Sequence, residues 1–366
     1  MDRGKEIIKY SFLGIILNII LVIFKAVVGL LSGSIAVISD AFNNLGDALS
    51  SIAVIIGIKL SEKPADKEHP FGHGRVEYFS SIIVSIIIIV SGLGVFKESV
   101  VKIITPSTVS YSIISLIIIF ATILVKFIYG NNMKKIGKEL KSTSLVASGT
   151  DAYMDSILSF SVFISALITI IFNINLEAYL GIIISLLIIK TGIDILKSTI
   201  NSILGERTSK EITISLRNKI NSYKEVLGTY DIILHNYGPS NIIGSVHIEV
   251  KGDMTALEVH KLTRDIITDI YNEFGIILTI GIYAYNNDDK YKEIKNYIDS
   301  IINEYNDILE LHGFYVDEDI NNISFDIVTS FNVKDEELLK KEIINKLKKK
   351  YKEYNYTIII DRDISD

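Results

Sequence analysis

The chain has 366 residues, a 49% share of hydrophobic residues and a mean hydropathy of +0.37, values that exclude an ordinary water-soluble single domain. Its formal net charge of −6 provides no basic surface for nucleic acid, so partners of that class are excluded. The absence of cysteine excludes disulfides and thiolate metal sites, so any bound metal must have nitrogen or oxygen ligands.

The long apolar runs lie in the first 204 residues and predict a domain of six transmembrane helices. A membrane-spanning helix needs about 20 mostly apolar residues. The six predicted segments lie near 7–31, 34–60, 78–97, 110–130, 144–172 and 176–198. Because the first is long and is followed directly by another, it is interpreted as retained and not as a cleaved signal peptide.

The connecting segments predict the orientation in the membrane. Lysine and arginine concentrate at the N-terminus and in the loops predicted at 59–77 and 131–141, which places both termini and the tail in the cytoplasm. The composition is typical of an AT-rich bacterium, and the predicted location is the bacterial inner membrane as a multi-pass protein. Lys25 and Lys126, expected near helix ends, are predicted to reach the membrane surface.

The remaining residues predict an internal repeat in an α+β tail. Segments 210–223, 229–236, 244–250, 256–274 and 276–284 follow the order helix, strand, strand, helix, strand. Segments 291–305, 309–316, 323–330, 335–354 and 356–361 repeat this order. Each αββαβ unit predicts a ferredoxin-like module. The predicted domains are therefore 1–204 for transport, 205–285 as a ferredoxin-like dimerisation domain, and 286–366 as a second module of unassigned role.

Two predicted membrane helices carry paired polar residues. Asn43 and Asp47 in the second helix are four residues apart, as are Asp151 and Asp155 in the fifth, so each pair lies on one helix face. A charged residue at the bilayer centre costs about 2.5–3.5 kcal/mol even on the lenient insertion scale. The two pairs therefore predict a cation site, with Asp40 as an entry or packing residue.

The donor types suggest both the metal and the driving force. One amide and three carboxylates without histidine favour a hard ion, and Mn²⁺ is the preferred cargo, with Zn²⁺, Fe²⁺, Co²⁺ and Cd²⁺ as alternatives. Converging carboxylates cannot all remain ionised when empty, so the cluster is expected to hold protons that the entering metal expels. This predicts an alternating-access antiporter, not an enzyme, with no resident cofactor.

The loop that precedes the third helix contains a second candidate cluster. Its sequence from 66 to 75 is DKEHPFGHGR, in which Asp66, His69 and His73 form a possible weaker metal site at the membrane surface. Alternatively, the proline and glycines shape a turn and the histidines cap it.

The chain resembles the cation diffusion facilitator family over residues 1 to about 285. The resemblance is carried by SIAVISDA at 34–41 leading into Asn43 and Asp47, by HPFGHGRVE at 69–77, and by the acids Asp151 and Asp155. It implies a dimeric metal/proton antiporter whose transport site uses these four residues. Asparagine where zinc-selective members typically have histidine is similar to the bacterial manganese-exporting branch.

The tail departs from the family pattern in two ways. Only His247 and His260 occupy places comparable to the binuclear zinc site of zinc-transporting members, while Tyr230 and Tyr283 occupy others. The resemblance therefore favours dimerisation over metal sensing as the tail's role. The second module lies outside the family pattern.

Two other function classes remain as alternatives. The sequence Leu45-Gly46-Asp47 partly matches the Gly-x-Gly-Asp signature of an intramembrane aspartyl protease, although Asn44 replaces the first glycine. A passive divalent channel would use the same acids without proton coupling.

Overall fold

A computed structural model describes residues 3–32, 35–105, 113–172, 176–207, 209–238, 241–286 and 288–362. The side chains of residues 28–43, 114, 115 and 177 lie outside that description. By contacts the chain divides into two units, 1–206 with 237–241 and 207–236 with 242–366.

Six long helices form the first unit. They are α1 (Arg3–Ser32), α2 (Ile35–Ser61), α3 (Val76–Ile104), α4 (Ile113–Glu139), α5 (Thr143–Phe172) and α6 (Glu177–Leu204). All six are long and apolar enough to cross a membrane. Large apolar side chains such as Ile20, Ile23 and Val90 are exposed on the outside of the unit, as lipid-facing residues would be.

The interior of the helical unit contains polar contacts between helices. The most extensive helix packing is between α4 and α5, α3 and α6, and α1 and α2, and α2 also packs on α5. Ser81 of α3 and Thr199 of α6 share a buried hydrogen bond of 3.0 Å. Arg3 donates to the fully buried Glu77 at 2.7 Å and to the Leu140 carbonyl at 2.7 Å, which joins the beginnings of α1 and α3 to the end of α4.

The α4 helix differs from the prediction in its length. Residues 131–139, predicted as part of a charged loop, continue the helix, and the turn into α5 is confined to residues 140–142. The positive φ of Lys141, 50°, makes this turn tight. Lys126 therefore lies about three and a half turns inside α4 and not near its end.

The second unit contains two modules of the same topology. The first module comprises α7 (Lys210–Asn221), β1 (Gly228–Asn236), β2 (Ile242–Lys251), α8 (Ala256–Phe274) and β3 (Ile276–Tyr285). The second comprises α9 (Asp289–Ile302), β4 (Ile308–Asp317), β5 (Asn322–Thr329), α10 (Glu336–Leu347) and β6 (Asn355–Arg362). In each sheet the first two strands are antiparallel and the last two are parallel.

Each module buries one face of its sheet under two helices. In the first module, Val246 and Ile248 of β2 pack with Leu216 of α7 and Ile266 of α8. The second module has an equivalent core, whose members include Ile298, Phe325, Ile327, Ile343 and Leu347. Because side chains alternate along a strand, the residues between these core positions point to the other sheet face.

Local sequence explains where the modules' helices begin and end. Thr255 and Glu258 form a reciprocal capping box at the start of α8, and Gly275 ends that helix with a φ of 69°. The α10 helix ends at Leu347 and not at the predicted residue 354, and Tyr354 lies beyond the helix and packs into the core. The predicted fold class, six membrane helices followed by a duplicated α+β domain, is confirmed.

Candidate transport site

The predicted acid residues of α2 and α5 lie in the interior of the helical unit. Asp151 is 7% exposed, and Asp155 follows it by one turn on the same face of α5. Asp47 lies on α2, which packs against α5. The backbone of Asn43 is part of α2, one turn before Asp47, but its side chain and that of Asp40 lie outside the described residues.

A lysine that sequence reasoning assigned elsewhere joins the two helices. The Lys126 ammonium donates to Asp47 Oδ2 and to Asp155 Oδ2, both at 2.7 Å, so these two oxygens are within twice that distance of each other. The Lys126 side chain is only 5% exposed. The prediction that Lys126 reaches the membrane surface is wrong, because α4 continues past it and directs it inward.

Lys25 was also predicted to reach the membrane surface, and this prediction is wrong as well. The side chain is 1% exposed, so it is enclosed by the helices of the first unit. We assign it no part in the candidate site.

Close approach of two helix backbones fixes the position of Lys126. A Cβ atom added at Gly130 of α4 would lie 2.7 Å from the Tyr153 nitrogen and 2.9 Å from the Gly149 carbonyl oxygen, both in α5. A Cβ at Gly149 would meet the Lys134 nitrogen at 2.7 Å. Only glycine permits such a close contact between the two backbones. Lys126 lies one turn before Gly130 on α4, so this contact places it opposite Asp155 of α5.

The charges at this place do not cancel. Asp47, Asp151 and Asp155 provide three negative charges when ionised, and Lys126 provides one positive charge, which leaves two negative charges. Ionised groups in a region of low dielectric are stable only when paired or neutralised. One divalent cation, or two protons, would balance this excess.

The loop between α2 and α3 brings its three predicted residues together. The Asp66 carboxylate lies 3.4 Å from His69 Nδ1 and 3.5 Å from His73 Nε2, and the two imidazole rings are 4.4 Å apart. The His69 backbone N–H donates to Asp66 at 2.7 Å and is the main cause that lowers the pKa of that carboxyl. Their ligand atoms lie within 4.8 Å of one another, a spacing compatible with one ion. Asp66 and His69 are exposed to solvent, whereas His73 is partly buried.

The two tail histidines are not brought together within a chain. His247 lies on β2 between the core residues Val246 and Ile248, so it faces away from the helices. His260 is exposed on α8, a helix that covers the opposite face of the sheet. Within one chain these two side chains therefore do not share a site.

His247 instead pairs with an acid that the sequence analysis did not single out. Its Nδ1 lies 2.9 Å from Asp231 Oδ2, and its ring stacks on Tyr283 at 4.6 Å. Burial raises the pKa of Asp231, but the contacts with His247, His312 and Tyr283 outweigh burial and hold it below its usual value. Tyr230 and Tyr283 thus belong to a polar cluster that includes residues of the second module.

Two family models match the chain. One, described as the cation efflux transmembrane domain, matches residues 11–204, and the other, described as the cytoplasmic domain of cation efflux proteins, matches residues 208–282. The first covers the six helices and the second covers the first module. Both matches end before the second module begins.

Curated relatives extend over most of this chain. An uncharacterized transporter of Methanocaldococcus jannaschii is 30% identical over 258 residues, which are 70% of this chain and 91% of the relative. The manganese efflux system proteins MneS and MneP of Bacillus subtilis are 29% and 26% identical. Each of these two matches covers 75% of this chain, with 96% of MneS and 95% of MneP.

Proposed function

We propose that this chain, which belongs to the cation diffusion facilitator family of divalent-cation efflux transporters, exports Mn²⁺ in exchange for protons. Members of the family are multi-pass membrane transporters and not enzymes, so the intramembrane protease alternative is set aside. The proposal concerns the cargo, the ligands and the coupling.

One observation carries the proposal: carboxylate oxygens from α2 and α5 converge on a single ammonium inside the helical unit. The Lys126 ammonium occupies a position from which both Asp47 and Asp155 can be reached by one cation. Asp151 and Asn43, one turn away on their helices, supply the further oxygen donors. We therefore assign Asn43, Asp47, Asp151 and Asp155 as ligands of the transported ion.

The donor set supports manganese as the cargo. Amide and carboxylate oxygens suit hard divalent ions, whereas zinc sites usually include histidine or cysteine. Two relatives that span most of the chain are named as manganese efflux proteins, in agreement with this ligand argument. Zinc, iron, cobalt and cadmium are the alternative cargoes.

Lys126 changes how the empty site can be neutralised. The ammonium balances one of the three carboxylates, so the empty site needs at most two protons. Mn²⁺ would displace the ammonium from Asp47 and Asp155 and would release those protons. An exchange of one Mn²⁺ for two protons is then electroneutral at the site.

The remaining parts have supporting roles in this proposal. Asp66, His69 and His73 form a weak site that gathers metal at one mouth of the transport domain. The first module contributes to a homodimer, as the family model for its domain suggests. We also propose that both termini lie on the cytoplasmic side of a bacterial inner membrane, an orientation that the charge distribution of the connecting segments supports.

Transport in inverted membrane vesicles tests the coupling. We expect Mn²⁺ uptake to depend on an imposed pH gradient, acid inside, and to release protons from the vesicle lumen as Mn²⁺ enters. Vesicles containing Asp47→Asn should show neither flux, whereas Asp253→Asn, an exposed control substitution, should behave as wild type. Mn²⁺ uptake that moves no protons and ignores the gradient would indicate a passive channel and reject the antiport.

A further inference from the structure

The two modules meet through polar side chains on the sheet faces that their own helices leave uncovered. Strands β3 and β4 are in contact, and Tyr283 of β3 donates to Asp326 of β5 at 2.7 Å. The Tyr230 ring stacks on the His312 ring at 4.9 Å with an interplanar angle of 16°. We call this contact between the modules the seam.

Four potential metal ligands converge at the seam. They are Asp231 of β1, His312 of β4, Asp326 of β5 and Asp361 of β6, and their ligand atoms all lie within 4.8 Å of one another. Ligand atoms bound to one ion at about 2.0–2.6 Å can be up to about 5 Å apart. The spacing is therefore compatible with a single ion.

His312 provides an independent indication that a ligand belongs here. Its side chain is 0% exposed, and its Nε2 lies 3.0 Å from Asp231 Oδ1 and 3.7 Å from Asp361 Oδ2. Nε2 therefore faces two carboxylates as an ion pair without hydrogen-bond geometry, and within the described part of the chain neither ring nitrogen has a hydrogen bond. A buried imidazole nitrogen without a hydrogen bond is destabilising, and metal coordination through Nε2 would remove part of that cost.

The hydrogen bonds of the seam position its carboxylates. The Tyr283 hydroxyl lies 2.8 Å from Asp231 Oδ2 and 2.7 Å from Asp326 Oδ2. A hydroxyl has one proton and can donate to only one of these carboxylates at a time. Asp231 Oδ2 also lies 2.9 Å from His247 Nδ1, so these contacts together hold both carboxylates at the seam.

The backbone on both sides of the seam is shaped to bring these groups together. Asp231 lies in a β-bulge of β1 with a φ of 51°, and Gly313 lies in a β-bulge of β4 with a φ of 63°. A Cβ at Gly313 would be 3.0 Å from the Tyr283 ring and 3.1 Å from Asp326 Oδ2. Bulges of this kind redirect side chains next to functional sites.

We propose that the seam is a second divalent-cation site, in which Asp231, His312, Asp326 and Asp361 bind one first-row ion such as Mn²⁺. The imidazole disfavours Mg²⁺ and Ca²⁺, and the three carboxylates favour Mn²⁺ or Fe²⁺ over softer ions. Three of the four ligands belong to the second module, so the ion would link that module to the first. This site is independent of which metal the membrane domain exports.

Equilibrium binding of Mn²⁺ to the purified full-length protein in detergent tests the seam site. Bound Mn²⁺ is counted from the loss of the free-ion EPR signal in wild type, His312→Gln, Asp47→Asn and the double variant. We expect each single variant to bind one ion fewer than wild type and the double variant to bind two fewer. If only His312→Gln loses an ion, the seam site is supported and the proposed transport site is wrong. If only Asp47→Asn loses an ion, the transport site is supported and the proposed seam site is wrong.

A second pair of variants separates metal binding from mere folding. Asp361 is 37% exposed, so Asp361→Asn should fold normally and weaken seam binding at least tenfold, while Asp319→Asn, an exposed substitution of the same charge, should not. Mn²⁺ should raise the unfolding temperature of wild type more than that of Asp361→Asn. If His312→Gln and Asp361→Asn bind as much Mn²⁺ as wild type, the seam is an ion-pair contact only and the proposal fails.

Discussion

The membrane site and the seam use similar carboxylates but are balanced by different cations. In the membrane domain, the Lys126 ammonium lies between Asp47 and Asp155. At the seam, the His312 imidazole lies beside Asp231 and Asp361. An ammonium cannot coordinate a metal while protonated and must give way to it, whereas an imidazole can become a ligand. The first arrangement suits an ion that enters and leaves, and the second suits an ion that stays.

We expect the largest effect when a carboxylate is removed from the membrane site. Asp47→Asn should lower Mn²⁺ transport by about 100-fold or more, because the buried Lys126 ammonium loses a charged partner and the ion loses a negatively charged ligand. Rescue of a manganese-sensitive strain measures this, with protein abundance in the membrane as the control. Near-normal rescue by Asp47→Asn would show that the α2 carboxylate is not a ligand.

Removal of the ammonium should have the next largest effect. Two unit charges 4 Å apart at an effective dielectric of about 20 interact by about 4 kcal/mol, so Lys126→Met should tighten Mn²⁺ binding about tenfold or more. Without metal the variant should unfold more readily, since it leaves Asp47 and Asp155 without their cation, and Mn²⁺ should restore much of that loss.

Thermal unfolding with and without Mn²⁺, together with binding isotherms, checks the Lys126→Met prediction. Lys134→Met, a substitution of the same kind two turns further along α4, is the matched control because Lys134 lies over the Tyr153 ring and not between carboxylates. Unchanged or weaker Mn²⁺ binding by Lys126→Met would show that the ammonium does not compete with the metal.

We expect the smallest effect from a substitution that changes which metal is preferred and leaves the transport activity in place. Asn43→His would add an imidazole to the oxygen ligands of the membrane site, which makes it chemically more similar to the seam and should shift preference toward Zn²⁺ by a few-fold. Competition between Mn²⁺ and Zn²⁺ in vesicle transport measures the shift. An unchanged metal profile would contradict the ligand argument for manganese.

Much of the fold follows from the sequence because its signals are local. Apolar runs of sufficient length identify six helices, and the Thr255 and Glu258 capping pattern marks the start of α8. The repeated helix and strand order likewise predicts both modules. The acid pairs of α2 and α5 are equally visible, since charged residues inside apolar helices require an explanation.

The two groups that the sequence analysis missed depend on information that is not local. Lys126 was misassigned because the charged residues after 130 looked like a loop, although they extend α4 to Glu139. The sequence feature that could have revealed its role is a lysine inside an apolar helix, in a chain whose other apolar helices contain acidic residues. The seam ligands come from four strands between residues 231 and 361, so no spacing in the sequence reveals them.

The glycine contact between α4 and α5 has a mechanical consequence. Backbones that touch at Gly130 and Gly149 cannot slide past each other without a steric clash, so α4 and α5 move as one body. Lys126 is carried on that body together with Asp155, whereas Asp47 is on α2, which packs chiefly with α1. If the site opens by a rocking motion between α2 and the α4–α5 pair, we expect Asp47 to separate from Lys126 first. Lys126 would then stay in contact with Asp155.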